Sequence, residues 1–368
     1  MSRFSQFFSK KKPINPEDLS LIESVLDAYR SDAFPHGVLA VANELASEQQ
    51  KDKLLIAIDL PFCAGDELTS IAHSLSDELS KTVEFTTSSH IEAVRQHNIA
   101  GVKNIIAIAS GKGGVGKSTT TVNIARALQK QGARVGILDA DIYGPSIPTM
   151  LGCQDDKPSS VDGKTMIPID ADGIYSMSIG YLVPDSDAAV WRGPMASTAF
   201  SQLLNETQWP ALDYLLIDMP PGTGDIQLTL SQKVPVAGAV IVTTPQDIAL
   251  ADAQKGIAMF DKVKVPVLGV VENMSYHICE NCGHHSHLFG LDGGKDIAEI
   301  NKVDLLGQLP LNIQVRQEAD LGESLFNSES ASDICDQYRR IASNLASKVF
   351  HLLDMRSPAT PSVEFTDS

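Results

Sequence analysis

One eight-residue stretch constrains this chain more than any other. Gly111–Ser118, GKGGVGKS, matches the pattern G-x-x-x-x-G-K-S/T. The apolar run NIIAIAS precedes it, and STTTVNIARALQ follows with the spacing of a helix. A strand, a glycine-rich turn and a helix in that order form a phosphate-binding unit. The glycines let successive backbone N–H groups turn inward around an anion. The helix N-terminus adds its partial positive charge. Lys117 is placed to reach the β- and γ-phosphates of a nucleotide, and the Ser118 hydroxyl to take a Mg²⁺ position. The candidate nucleotide-binding residues are Gly111, Lys112, Gly113, Gly114, Val115, Gly116, Lys117, Ser118 and Thr119.

Further apolar runs recur downstream: ARVGILDAD, YLLIDMPP, AGAVIVTTP, VPVLGVVENM and VDLLGQLP. Several are apolar over four or more consecutive residues, as expected of strands buried on both faces of a parallel sheet. Segments such as DIALADAQKGIAMFDKV suit crossover helices, and Ile334, Tyr338, Ile341, Leu345, Val349 and Leu352 mark a last helix. The pattern predicts a doubly wound, mostly parallel α/β domain over residues 104–351, with ligands outside the carboxyl ends of its strands. Residues 15–88 read as a small α+β domain: helix LSLIESVLDAYR, strand KLLIAIDLPF, helix AGDELTSIAHSLSDELSK. Residues 89–103 read as a polar, partly helical connector. Residues 1–14 are expected to be a flexible N-terminus, and 352–368, rich in Ser, Thr and Pro, a disordered tail.

Carboxylates stand at two further strand ends. ILDADIYGPS carries Asp139 and Asp141, and LLIDMPPGTGD carries Asp218. A nucleoside triphosphate with Mg²⁺ needs carboxylates for the metal's water shell and for the attacking water. A lone aspartate at such a place is commonly a helix N-cap; three at coordinated strand ends fit a nucleotide site better.

Lys112 is surplus to a plain phosphate loop. GKGGVGKST resembles the deviant Walker A motif of the MinD/ParA/nitrogenase-iron-protein class of ATPases. The resemblance implies that Lys112 reaches the nucleotide of a partner subunit in a homodimer. It also implies that Asp218 is the Walker B aspartate, that Asp141 lies near the attacking water and the metal, and that Pro220, Pro221 and Gly222 form the second switch. Asp139 is then structural. Asn273, in VVENMS, resembles the asparagine that hydrogen-bonds adenine in that class; its amide offers the donor and acceptor an adenine edge needs.

The segment YHICENCGHHSHLFG holds Cys279 and Cys282 as C-x-x-C, followed by His284, His285 and His287. Two thiolates on one turn suit one metal or a cluster edge. Three completions are open: the histidines finish a Zn²⁺ site, the pair is a redox dithiol, or two subunits each supply one pair. Cys63, Cys153 and Cys335 read as structural. Five cysteines in 368 residues argue against a disulfide framework and for a reducing compartment, hence a cytoplasmic location. The net charge of −17 disfavours nucleic acid as a partner. No apolar stretch approaches the roughly 20 residues needed to span a bilayer, so stable membrane insertion is not expected. Phe4, Phe7 and Phe8 in the basic start offer at most a membrane-surface contact.

Taken together, GVKNIIAIASGKGGVGKSTT, LDADIYGPSIP, WRGPM, LLIDMPPGTGD, TTPQDIALADAQKGIAMF, VENMSYHICENCGHHSHLFG and LGQLPL resemble the Mrp/ApbC family over residues 100 to about 345. That resemblance implies an iron–sulfur cluster carrier with ATPase activity. Its cofactors would be ATP, Mg²⁺ and a cluster, 4Fe–4S, bridging two subunits through Cys279 and Cys282. Its partners would be a second copy of the chain, recipient apoproteins and cluster-assembly scaffolds. The N-terminal unit is positioned like the MIP18-like domain of longer members, with a shortened hairpin before its strand–helix step. The competing reading is a MinD/ParA-like regulatory or positioning ATPase, which leaves the C-x-x-C without a use.

Overall fold

The computed structural model describes residues 14–182, 193–328 and 331–353. Phe4, Phe7 and Phe8, Trp191 and Arg192 of the WRGPM motif, and nearly all of the expected tail lie outside them.

The chain opens with helix α1 (Pro16–Ala28), whose proline stands in the first turn and whose Asn15 side chain accepts from Glu17 N. Strands β1 (Glu44–Gln50) and β2 (Lys53–Leu60) form an antiparallel hairpin over the Lys51–Asp52 turn. Helix α2 (Glu67–Leu79) then crosses to β3 (Thr82–Ser89), which pairs parallel with β2. The hairpin pairs all seven residues of β1 with β2. Strand β1, ELASEQQ, escapes sequence reading because it is polar: an edge strand with one wet face carries no apolar run. The following residues 90–101 contain no helix, contrary to the partly helical connector expected. They are pinned instead by Asn104, which accepts from Val94 N and donates to Glu92 O, and by Arg95, which donates to Val236 O.

The larger unit runs β4 (Val102–Ala109), α3 (Lys117–Lys130), β5 (Val135–Asp139), α4 (Ile147–Met150), β6 (Ile169–Ala171), β7 (Ile174–Ser178) and α5 (Gly193–Glu206). It continues β8 (Leu212–Asp218), α6 (Asp225–Lys233), β9 (Gly238–Thr243), α7 (Asp247–Lys262) and β10 (Val267–Glu272). A two-stranded hairpin, β11 (His277–Ile278) and β12 (His285–Ser286), leads to α8 (Gly293–Asn301), β13 (Leu305–Gln308), α9 (Ile313–Leu321) and α10 (Ser332–His351). The eight-stranded sheet has the order β13-β10-β9-β4-β8-β5-β7-β6. Every neighbouring pair is parallel except β6 with β7.

This is the doubly wound α/β sheet expected from the apolar runs, and all six runs are strands. Strand β4 lies at its centre, with Ile105, Ile106 and Ile108 fully buried. The antiparallel β6–β7 edge was not legible, since IDA and IYSMS are too short and mixed to announce strands. The two units are joined through α10. Phe62 packs on Phe350 with ring centroids 5.5 Å apart, Ser347 Oγ donates to Ala33 O, and Arg339 pairs with Asp66 at 3.2 Å.

Candidate functional site

Four strand ends, those of β4, β5, β8 and β10, converge at one edge of the sheet. Parallel strands put all their carboxyl ends on the same side, so residues distant in sequence meet there. The loop after β4 leads into α3 with Gly114 and Gly116 at φ 82° and 81°, a region glycine enters without a Cβ penalty. Gly111 is needed for a different reason: a Cβ there would overlap the Asp252 backbone of α7. A cleft of about 190 Å³ opens over this loop, lined by Ser110, Lys112, Gly113, Gly114, Gly116, Lys117, Ser118, Thr119, Asp141, Ser146, Met150 and Pro221.

Lys117 is only 6% exposed, and its Nζ lies 2.7 Å from Asp218 Oδ2, itself fully buried. Ser118 Oγ donates to the same oxygen at 2.6 Å, and Thr121 Oγ1 donates to Asp218 Oδ1 at 2.8 Å. The structure thus brings together the lysine, hydroxyl and carboxylate expected from the loop and from the end of β8. Thr121 was not singled out from the sequence. Its only signal is its place, one helical turn beyond Lys117, on the α3 face that Asp218 meets. The set of a hydroxyl and carboxylates is the hard oxygen chemistry that suits Mg²⁺.

Asp139 is fully buried at the end of β5, beside Asp218 in register. It accepts from Asp141 N, Ile147 N and Ser178 Oγ, so it shapes the loop that carries Asp141. Burial first, and then the Asp218 carboxylate, push the Asp139 carboxyl up to about 7, against the pull of Lys117. Asp141 is half-buried and lines the cleft. Burial raises its pKa, Lys117 opposes the shift and Asp218 adds to it. Lys112 is half-buried, with Nζ 3.5 Å from Gln246 Oε1, just beyond β9. Gly222, in the expected second switch, donates its N–H to Ser110 O.

Asn273 stands directly after β10, where the sequence placed it, but its amide has a protein partner. Nδ2 donates to Val115 O at 2.9 Å, within the phosphate loop. The preceding Glu272, missed from the sequence, is fully buried. It accepts from Ser275 Oγ, from Gly294 N at the start of α8 and from Gln308 Nε2. A glutamate closing an apolar strand was its one sequence signal.

The cysteines lie on the hairpin that follows. Cys279 N donates to His284 O and Gly283 N to Cys279 O, closing the turn across the strand pair. Cys282 is exposed and Cys279 partly so, whereas Cys63, Cys153 and Cys335 are buried. The Asn281 and Cys282 backbone N–H groups, then the Cys282 thiol, lower the pKa of Cys279, which favours the thiolate that binds metal. Burial raises Cys63 to about 12 and Cys153 to about 11, as befits inert thiols. The histidines do not gather around the pair. His285 stacks on Tyr276 at 5.2 Å and His287 Nδ1 lies 3.2 Å from Ser275 O. Among the described residues no group of three or more His, Cys, Asp or Glu side chains is assembled to hold a metal.

Comparison with known proteins agrees with this geometry. A family profile described as ParA, NUBPL iron-transfer P-loop NTPase, matches residues 101–346. An iron-sulfur cluster carrier protein of Escherichia coli (strain K12) is 49% identical over 346 residues, covering 91% of this chain and 94% of that one. The protein of the same description from Salmonella typhimurium is 53% identical over 308 residues, 81% of this chain and 84% of its own. The iron-sulfur cluster transfer protein NUBPL of Mus musculus is 48% identical over 257 residues, 69% and 80% of the two chains. Among solved structures, a nucleotide-binding protein of Archaeoglobus fulgidus in complex with ADP is 38% identical, with a TM-score of 0.57 over 64% of this chain and 93% of that one. The cell division ATPase MinD of Pyrococcus furiosus, 22% identical with a TM-score of 0.50 over 66% of this chain and 98% of its own, shares the fold.

Proposed function

Because the chain belongs to the NUBPL iron-transfer P-loop NTPase family, we infer that it binds iron–sulfur clusters and transfers them to apoproteins, and that it binds and hydrolyses ATP. The observation that carries the reading is the presence, in one chain, of a complete phosphate-loop site and an exposed C-x-x-C turn.

At the nucleotide site, the loop N–H groups and the α3 N-terminus hold the phosphates. Lys117 moves from Asp218 to the β- and γ-phosphate oxygens, a short swing for a side chain already at the floor of the cleft. Ser118 and Asp218 would hold Mg²⁺, which would supply neutralisation of charge on the phosphates. Asp141 orients the attacking water. Asn273 fixes the loop through Val115, and its remaining amide oxygen is the acceptor it offers to adenine.

At the second site, Cys279 and Cys282 bind the cluster as cargo. Two thiolates are half of what a cubane cluster requires, and this supports a homodimer in which each subunit supplies one pair to a bridging 4Fe–4S cluster. Lys112, within the loop and only weakly held by Gln246, is the residue we assign to the partner subunit's nucleotide. Recipient apoproteins and assembly scaffolds approach the same exposed hairpin. No helix among the described residues is long and apolar enough to cross a membrane. The five unpaired cysteines suit a reducing compartment and support a cytoplasmic carrier.

The test is anaerobic reconstitution with iron and sulfide, followed by transfer to an apo iron–sulfur enzyme with and without Mg·ATP. Iron and sulfide equal to one cluster per dimer, together with restored activity of the recipient, is expected. One cluster per monomer removes the bridging arrangement, and uptake of zinc alone removes the carrier function.

A further inference from the structure

The nucleotide loop and the cysteine turn share a short, fully tethered connector. Asn273 Nδ2 donates to Val115 O. In a trans peptide the carbonyl of one residue and the N–H of the next point in opposite directions. By holding the Val115 carbonyl, Asn273 therefore also aims the Gly116 N–H, and Gly116 lines the cleft. The fit is close, since a Cβ at Gly116 would overlap Asn273 Nδ2 and lie 3.8 Å from Met274 Cε. Asn273 thus holds one edge of the Val115–Gly116 peptide, and a phosphate in the cleft would meet the other.

From Asn273 to Cys279 the chain has little slack. Met274 sits at φ 55°, a conformation uncommon for a side chain of this kind. Ser275 N donates to Leu309 O, and Ser275 O lies against His287 Nδ1. Tyr276 accepts at its hydroxyl from Gln337 Nε2 of α10 at 2.8 Å, and its carbonyl accepts from Leu311 N at 2.7 Å. Its ring stacks on His285 at an interplanar angle of 10°. His277 and Ile278 pair with Ser286 and His285, and Cys279 N donates to His284 O.

We propose that Asn273–His277 couples the two sites, so that nucleotide in the phosphate loop sets the accessibility of Cys279 and Cys282, with Met274 and Tyr276 as positioning residues. The proposal rests on the reading that both sites are used. A displacement of the Val115–Gly116 peptide moves Asn273, and the contacts of Met274, Ser275 and Tyr276 pass that displacement to the hairpin instead of absorbing it. The coupling energy is equal in both directions, so cluster on the hairpin must likewise change nucleotide affinity.

The test uses the full-length, cluster-free, reduced protein. Its other three cysteines are buried, and mass spectrometry of iodoacetamide-labelled peptides isolates Cys279 and Cys282. Labelling rates are measured with and without saturating Mg·AMPPNP, whose binding is followed independently by calorimetry. In the wild type, nucleotide is expected to change the rate by about fivefold or more, the low end of ordinary coupling between sites. Tyr276→Ala is expected to bind nucleotide and lose the response, and Tyr276→Phe, which keeps the ring stack, to restore most of it. Met274→Gly, which loosens the connector without touching the hairpin, is expected to weaken it too. A wild-type rate unchanged at saturation, or a full response in both Tyr276→Ala and Met274→Gly, overturns the coupling while leaving the ATPase and carrier reading intact. Failure of the wild type to bind AMPPNP overturns both.

Discussion

Lys117 and Asp218 form a buried ion pair in which each charge depends on the other. Lys117→Ala is expected to reduce ATP hydrolysis by about 10²–10³, the usual effect of removing one well-placed electrostatic contact. It also leaves Asp218 buried without its cation, so a loss of about 3–5 kcal/mol of stability is expected in chemical denaturation. Asp141→Ala is expected to lose hydrolysis to the same degree while keeping stability near the wild type, because Asp141 is half-buried and outside that pair. Turnover close to normal in either variant would remove the assignment.

Asp139 makes a separate prediction. Its folded pKa of about 7 lies above the unfolded value of about 3.9. Between these values the native state binds the extra proton. The stabilisation from this group is therefore fully present below about pH 4 and is lost as pH rises through about 7. Wild-type stability should carry a falling component toward pH 7, at most about 1.4 kcal/mol per pH unit, and Asp139→Asn should flatten it. Denaturant midpoints across this window check the sign.

At the scale of elements, the β11–β12 hairpin and the β4–α3 loop are separate structures joined by the connector after β10. Cys279→Ala or Cys282→Ala is therefore expected to abolish stable cluster binding while nucleotide affinity stays within about twofold of that of the cluster-free wild type, since neither substitution touches the phosphate loop or the connector. Cys63, Cys153 and Cys335, all buried, are expected to be replaceable without loss of iron or sulfide. The histidines are expected to be replaceable as well, because the structure directs His285 and His287 at Tyr276 and Ser275. Iron and sulfide analysis of each variant, beside nucleotide titration, separates these outcomes; a cluster retained in Cys282→Ala would falsify the assignment.

At the scale of the whole molecule, the N-terminal unit is held on α10 by the Phe62–Phe350 contact and a few polar bonds. An aromatic pair contributes about 0.5–1.5 kcal/mol beyond its burial, and Phe350→Ala loses burial as well, so opening of this unit should rise by about tenfold or more. Limited proteolysis within residues 90–101 should accelerate accordingly, with ATP binding kept. Lys112 belongs to the same scale. Mixing Lys112→Ala with Lys117→Ala subunits should recover part of the hydrolysis that each lacks alone, because one composite site in the mixed dimer has both lysines intact. No recovery would count against action across the dimer.

The local chemistry was written in the chain itself. Glycine spacing, the Lys117–Ser118 pair and the C-x-x-C spacing are short-range patterns, and the continuous apolar runs have the pattern of strands buried on both faces. Other features had no such mark. Strand β1 is polar because its edge position leaves one face wet, and β6 and β7 are too short to show a period. The donation of Thr121 to Asp218, the gathering of donors on Glu272 and the hold of Asn273 on Val115 join residues 97, up to 36 and 158 positions apart in sequence. Only the tertiary structure decides such contacts, because parallel strand order, not sequence distance, determines which carboxyl ends stand side by side.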